Sequence, residues 1–104
     1  MNLLPKPYIK YCENGAPLSG ETDLEWADYF DLEPLDKIAE LNIDIEIEKH
    51  APGFYAFASN GSGEVFVFSE SGAIYLLPLI GMAADAAIFI TNSWEEFFDH
   101  VQDT

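Results

Sequence analysis

The sequence contains no arginine and only four lysines, and none of these lysines lies beyond Lys49. Phosphate binding requires Lys or Arg side chains that displace counterions, so this scarcity argues against nucleic acids and anionic membranes as partners. Nineteen Asp and Glu residues oppose the four cations and give the 104-residue chain a formal net charge of −15. Two interpretations stay open: the acidity serves solubility alone, or it attracts a basic partner and speeds encounter with it.

Cysteine and long apolar runs are also scarce. The single cysteine, Cys12, excludes an intramolecular disulfide and is typical of a reducing compartment. The first residues contain no long apolar stretch, so we expect no secretory signal. The most apolar run, Ala73 to Ile80, contains Pro78 and is too short to span a bilayer. We therefore expect a cytoplasmic protein whose residues 1–104 form one domain.

The segment from Gly53 to Pro78 predicts three short β-strands joined by two tight turns. Aromatic and β-branched residues fill its runs, and Ser, Asn, Gly and Glu fill the gaps between them. Successive side chains alternate across a sheet, so Phe66 and Phe68 should point to one face, with Val65 and Val67 on the other. Both faces are therefore apolar, and we expect helices, a partner protein or a second copy to cover them.

Two segments before these strands predict further strands. Leu24 to Leu32 alternates in part, with Trp26 and Asp28 on one side and Tyr29 on the other. The run from Asn42 to Lys49 alternates isoleucine with acidic residues, which is the pattern of a half-buried strand with one charged face. Such a face could protect a sheet edge.

Helices are predicted on either side of these strands. Pro7 to Glu13 has Tyr8, Tyr11 and Cys12 on one face, and Asn14 and Gly15 would end it. A second helix begins at Pro34 and ends at Asn42. The stretch from Ile80 to Ala87 is a loop or a short helical turn, and a last strand follows from Ala87 to Thr91. Ser93 and Glu96 form a capping-box pattern before a final helix with Trp94, Phe97, Phe98 and Val101 on one face.

No motif in the sequence indicates catalysis, a metal or a cofactor. His50 and His100 lie far apart and have no carboxylate at helical metal-ligand spacing. The Gly61-x-Gly63 pair lacks the Lys-Ser/Thr ending of a phosphate loop and is interpreted as a hairpin turn. Cys12 lies on an apolar helix face and is interpreted as a core residue. An enzyme with paired carboxylates would require a deep pocket that separates their pKa values.

Aromatic residues among acidic ones suggest a contact surface for a cationic protein, because Trp and Tyr are frequent interface anchors. The alternative is that these aromatic residues are core anchors beneath a solvated acidic face. The predicted partner-binding residues come from the acidic segment 21–33 and from the strand expected at 43–48. They are Glu25, Trp26, Asp28, Tyr29, Asp44, Glu46 and Glu48.

The order of several short motifs resembles the SUKH superfamily, an immunity-protein family that also includes a yeast cell-wall synthesis regulator. The motifs are an LP-x-x-Y segment followed by NG, a central glycine-rich hairpin and a closing helix. They are carried by Leu4, Pro5, Tyr8, Asn14, Gly15, Gly53, Asn60, Gly61, Gly63, Trp94 and Phe97. The helix that usually precedes the LP segment has no counterpart here, so we expect either a homodimer that covers one sheet face or a minimal branch of the family.

The resemblance implies a single α+β domain with a mostly antiparallel β-sheet flanked by short helices. It implies no catalysis and no cofactor. Many members are bacterial immunity proteins that neutralise a toxin, often a nuclease, and a basic toxin would suit a chain of net charge −15. The first hypothesis is therefore a cytoplasmic immunity protein. The second is a regulatory or scaffold module that binds an endogenous protein.

Overall fold

The computed structural model describes residues 4–15, 17–25 and 27–102. Within them the chain forms an antiparallel β-sheet and several short helices, which confirms the predicted α+β class. In chain order the helices and strands are α1 (Lys6–Glu13), β1 (Ser19–Glu21), β2 (Tyr29–Leu32), α2 (Ile38–Asp44), α3 (Ile47–His50), β3 (Phe54–Ser59), β4 (Glu64–Ser69), β5 (Ile74–Pro78), β6 (Ile88–Thr91) and α4 (Trp94–Asp99). Short 3-10 turns at Leu35–Lys37 and Ala84–Ala86 precede α2 and β6.

The six strands are hydrogen-bonded in the order in which they occur in the chain, from β1 to β6. The three strands predicted between Gly53 and Pro78 are confirmed as β3, β4 and β5. The turn between β3 and β4 contains Gly61 and Gly63 at φ of 74° and 88°, a left-handed conformation that glycine adopts without strain. The predicted hairpin turn at these two glycines is therefore confirmed.

The side chains of β4 divide the core into two clusters, as predicted from their alternation. The aromatic face of the sheet is defined by a buried set that α1 and α4 help to form: Tyr8, Phe57, Phe66, Phe68, Trp94 and Phe97. The aliphatic face is defined by a second buried set that includes α3: Ile47, Ala51, Ala56, Val65, Val67 and Leu77. Helices of the chain itself thus pack on both faces, so coverage of the sheet does not require a partner.

The predicted strand from Leu24 to Leu32 is correct only from Tyr29 onward. Before Tyr29 the chain turns, because the Thr22 hydroxyl donates to the Ala27 carbonyl oxygen at 2.7 Å and accepts from the Leu24 backbone N–H at 3.0 Å. This local hydrogen bonding by a threonine side chain competes with an extended ladder. Trp26 lies outside the described residues, so its predicted orientation stays a prediction.

The predicted strand from Asn42 to Lys49 is wrong, because this stretch forms the end of α2 and most of α3. The alternation of isoleucines does not match burial: Ile47 is buried, whereas Ile43 is 75% exposed. Glu46 separates the two helices in a left-handed conformation, with φ of 54°. A period of two in the sequence therefore arose here from a helix, a two-residue break at Ile45 and Glu46, and a second helix.

The final helix begins with the expected cap. The Ser93 hydroxyl accepts the Glu96 backbone N–H at 3.1 Å, and the Glu96 carboxylate accepts the backbone N–H of Asn92 at 3.0 Å. The carboxylate thus reaches one residue farther back than the standard capping box predicts. Trp94 and Phe97 are buried as predicted, whereas Phe98 is 47% exposed.

The two edges of the sheet differ in whether another segment of the chain pairs with them. At β1, the C-terminal segment pairs with the outer edge: the Gln102 N–H donates to the Glu21 carbonyl oxygen at 2.8 Å, and Thr22 forms a bridge with Val101. At the opposite end of the sheet, β6 pairs with β5, and no other described strand pairs with it. One edge is therefore covered by the chain itself, and the other is open.

Candidate protein-binding surface

Strand β2 carries two of the exposed acidic and aromatic side chains to the aliphatic face of the sheet. Asp31 pairs with Ser59, and Ser59 pairs with Val65, which is a member of the aliphatic cluster. Directly paired residues point to the same face, so Asp31 and, two residues earlier, Tyr29 point to the side that also carries α3. Tyr29 and Asp31 are both exposed there.

Glu21 extends this acidic area to the edge of the sheet. It pairs with Tyr29 across β1 and β2, so its side chain is on the same face as the tyrosine ring. On the other side of the ring lies Gly61, where an added Cβ would come 3.7 Å from Tyr29 Cε2. Tyr29 is therefore held between a carboxylate-bearing strand and the β3–β4 turn, with 40% of its surface exposed.

A groove of about 730 Å³ opens between α2, α3 and the start of β3. It is lined by the apolar residues Ile43 and Phe54 and the charged residues Glu46, Glu48 and Lys49, and it extends to Tyr55 on β3. Ile43 stands out as a large aliphatic side chain with three quarters of its surface exposed. Exposed apolar groups beside carboxylates are suited to a protein partner with both basic and apolar side chains.

Asn42 positions α2 beside this groove through three buried hydrogen bonds. Its amide nitrogen donates to the carbonyl oxygens of Ala56 at 2.8 Å and Ile38 at 2.9 Å, and its amide oxygen accepts the Ala56 N–H at 2.7 Å. Strand β2 pairs with β3 only at Ala58 and Ser59, so it has ended before Ala56. The asparagine side chain therefore satisfies the edge of β3 where a neighbouring strand would otherwise do so.

The structure brings the predicted partner-binding residues to two separate places rather than to one strand edge. Glu25 and Asp28 are exposed in the turn before β2, next to exposed Tyr29. Asp44 on α2, Glu48 on α3 and Glu46 between the two helices are also exposed, but not on the predicted strand. Sequence reasoning missed Ile43 as an exposed groove residue. It assigned every isoleucine of this run to one buried face, and no local signal distinguishes them.

The residues that carry the family resemblance lie in the aromatic cluster, at the ends of α1 and in turns. Tyr8, Trp94 and Phe97 are buried in the aromatic cluster, and Leu4 packs against it. Pro5 precedes α1 as its N-cap, and the Asn14 N–H bonds to the last turn of the helix. The Asn60 side chain accepts the backbone N–H groups of Ser62 and Glu64 and orders the hairpin turn. Gly15 and Gly53 both adopt positive φ.

Two titratable groups, Cys12 and His100, have polar or apolar surroundings that the structure defines. Burial raises the pKa of the Cys12 thiol above its ordinary value, which keeps the thiol protonated at neutral pH. The side chain is half-buried against the aromatic cluster. His100 Nδ1 lies 2.8 Å from Asp23 Oδ1 at the surface. Within residues 4–15, 17–25 and 27–102, no three His, Cys, Asp or Glu side chains are grouped to hold a metal ion.

The Tyr8 hydroxyl is fully buried and has no well-formed hydrogen bond to any described group. Its polar neighbour is the Cys12 thiol, a weak hydrogen-bonding group. Burial raises the pKa of Tyr8 far above its ordinary value, and Cys12 raises it further. The folded chain therefore keeps this proton at a pH at which an unfolded tyrosine has released it.

The expected consequence is alkaline destabilisation that depends on Tyr8. Below about pH 10, Tyr8 is neutral in both states, so its protonation contributes fully to stability there. Above that pH the unfolded chain loses the proton first, and stability falls by up to about 1.4 kcal/mol per pH unit. Tyr8→Phe should remove this part of the slope and change stability at pH 7 by less than about 1 kcal/mol. Urea unfolding of both chains from pH 7 to 11 measures it, and an unchanged alkaline slope would contradict the assignment.

None of the described helices is long and apolar enough to cross a membrane. Residues 2–100 match the family model described as the SMI1 / KNR4 family (SUKH-1). The match spans nearly the whole chain, including every strand and helix described above. No curated protein matches the chain.

Proposed function

The chain belongs to the SMI1 / KNR4 family (SUKH-1), and on that premise we propose that it is a non-catalytic protein-binding domain acting as a bacterial immunity protein. Its target in this proposal is a basic toxin, for which a nuclease is a chemically suitable class because nucleases bind phosphates through cationic side chains. The observation that carries the proposal is the pairing of carboxylates with exposed apolar groups on one side of the sheet. The net charge of −15 adds long-range attraction.

The proposed binding surface, called the acidic surface below, consists of two areas on the aliphatic side. One is formed by Glu21, Asp31 and Tyr29, with Glu25 and Asp28 in the adjoining turn. The other is the groove between α2, α3 and β3, which Ile43 and Glu46 line, together with the exposed Asp44 at the adjoining end of α2. A basic protein that covers both areas would place cations against the carboxylates and apolar side chains against Ile43 and Tyr29.

A capture experiment tests the function. Tagged chain is purified from cells that co-express the genes neighbouring its own, and the complexes are washed at low and at high salt. The expected result is one basic protein that is toxic when expressed alone and harmless when the chain is present. Recovery of an endogenous, non-toxic host protein would instead support a regulatory or scaffold module.

Charge reversal on the acidic surface tests where the partner binds. The double variant Asp44→Lys and Glu46→Lys should weaken binding of the captured toxin by at least about tenfold at low salt, mainly through slower association. The matched control is Glu95→Lys with Asp99→Lys on α4, which packs on the aromatic side and changes the net charge equally. Binding kinetics by surface plasmon resonance at several salt concentrations provide the measurement. Equal effects of the two variants would mean that net charge acts without a localised surface.

A further inference from the structure

The open edge of the sheet lies in a part of the chain that is almost free of charge. From Ser71 to Trp94 the only charged residue is Asp85, although charged residues make up 22% of the whole chain. This segment forms β5, β6 and their connection. The surface that it presents therefore lacks the carboxylates that cover the rest of the molecule.

Strand β6 lacks two of the features that usually protect an edge strand from pairing, a charged side chain and a proline, although its register with β5 shifts at Ile90. Natural edges are protected by charged side chains, prolines, bulges or a covering segment, because a free row of N–H and C=O groups can pair with another strand. The sequence of β6, Ile-Phe-Ile-Thr, contains no charge and no proline. The C-terminal segment that covers β1 lies at the other end of the sheet.

Apolar side chains are exposed on both sides of this edge. Phe89 is 50% exposed and packs its ring edgewise on Tyr75 of β5, with centroids 5.6 Å apart. Ile88 pairs with Leu76 of the aromatic cluster and so points to the other face, where it is also exposed. Leu79 and Ile80, in the connection that leads towards β6, are exposed as well. An exposed apolar edge of this kind marks an interaction site.

We propose that β6 pairs antiparallel with β6 of a second copy of this chain, so that two six-stranded sheets join into one. Antiparallel pairing of a strand with itself is compatible with a two-fold axis, which gives a closed dimer with the same contacts on both sides. Phe89 and Ile88 of each copy then pack against the neighbouring strand on their respective faces.

Charge selects a second copy over a basic partner as the occupant of this edge. A basic protein gains nothing at a segment with a single carboxylate, whereas the acidic surface offers it many. Two copies of net charge −15 repel each other wherever carboxylates face one another, and β6 lets them meet with few carboxylates at the contact. The dimer is independent of the proposed immunity function, because it uses neither area of the acidic surface.

Sedimentation equilibrium of the purified full chain, from about 10 μM to about 1 mM, tests the dimer at low and high salt. We expect the average mass to rise from 11.6 kDa towards twice that value with concentration. Added salt should strengthen association, because it screens the repulsion between two acidic copies. This sign is opposite to that expected for the complex with a basic toxin. A mass that stays at 11.6 kDa throughout would overturn the proposal.

A pair of matched variants locates the interface. Phe89→Lys should raise the dimer dissociation constant at least about tenfold, because it places two like charges at the two-fold contact. Phe98→Lys on α4 is the control, since Phe98 is 47% exposed, packs on an aromatic neighbour and acquires the same charge. Ile88→Lys serves as a second variant if circular dichroism shows that Phe89→Lys does not fold. Dimers that survive in the folded β6 variant, or that are lost equally in the control, would overturn the assignment to β6.

Discussion

Replacing Phe57 with alanine is expected to lower the free energy of unfolding by about 3–5 kcal/mol. Phe57 is fully buried at the centre of the aromatic cluster. Its ring stacks on Phe68 with centroids 4.1 Å apart and meets Tyr8 edgewise at 5.0 Å. The truncation removes apolar burial and these ring contacts, and it leaves a cavity between the sheet and α1.

The size of this effect matters because a domain of this length has a total stability of roughly 5–15 kcal/mol. Guanidinium unfolding of the variant measures the loss, and Phe98→Ala is its control. Phe98 makes ring contacts with Tyr11 and Trp94 but is 47% exposed, so we expect it to cost about 1 kcal/mol. Similar losses in the two variants would mean that Phe57 is not at the centre of the core.

The second large effect is expected at Asn42, where leucine should cost about 2–4 kcal/mol. Leucine has a similar volume but leaves the N–H and the C=O of Ala56 buried without partners, and each unsatisfied group costs about 1–3 kcal/mol. The expected loss is large because the Asn42 amide forms the hydrogen bonds that a neighbouring strand would otherwise form along the edge of β3.

Hydrogen exchange distinguishes this mechanism from a general loss of packing. In Asn42→Leu, the Ala56 amide should exchange faster relative to its neighbours in β3 than the global loss of stability explains. Asn14→Leu is the matched control: Asn14 is exposed at the end of α1, so its replacement should change stability by no more than about 0.5 kcal/mol. Uniform changes in exchange along β3 would contradict a specific role for the Asn42 amide.

Local signals in the sequence were sufficient for the parts of the fold in which neighbours along the chain supply the structure. The hairpin from β3 to β4 follows from two apolar runs around a turn with Gly61 and Gly63, and α4 follows from Ser93 and Glu96. The assignment of Phe66 and Phe68 to one face and of Val65 and Val67 to the other needed only strand geometry. The apolar residues on both faces also predicted that both would be covered, but they did not predict which elements would cover them.

The error in residues 42–49 has a cause that lies outside that stretch of the chain. The isoleucines from Ile43 to Ile47 alternate as in a strand, yet the β3 edge that such a strand would pair with is satisfied by Asn42 and by the Glu33 N–H, which donates to the Phe57 carbonyl oxygen at 3.0 Å. The same stretch can then form α2 and α3, with Ile45 and Glu46 as the break between them. Whether residues 42–49 form a strand or helices depends on what lies next to β3, and these eight residues alone do not determine that.

Part of the candidate surface could also be predicted from the sequence, and part depends on how the helices pack. The excess of acidic residues and their clustering around Tyr29 can be read directly from the sequence. The position of Asp44 at the end of α2 and of Glu46 between the helices, and the exposure of Ile43 in the groove, depend on how α2 and α3 pack against β3.

The sequence by itself determined the class of fold, the central hairpins, the family and the sign of the charge, because composition, period and turn chemistry act over short distances. The tertiary structure alone decided the groove, the placement of Tyr29 and Asp31 on the same side of the sheet as α3, and the contrast between a covered β1 edge and an open β6 edge. Each of these depends on contacts between residues far apart in the chain, such as the pairing of Glu21 with Gln102. Whether such a pairing forms depends on the free energy of the whole packed domain, and a short sequence pattern does not determine that free energy.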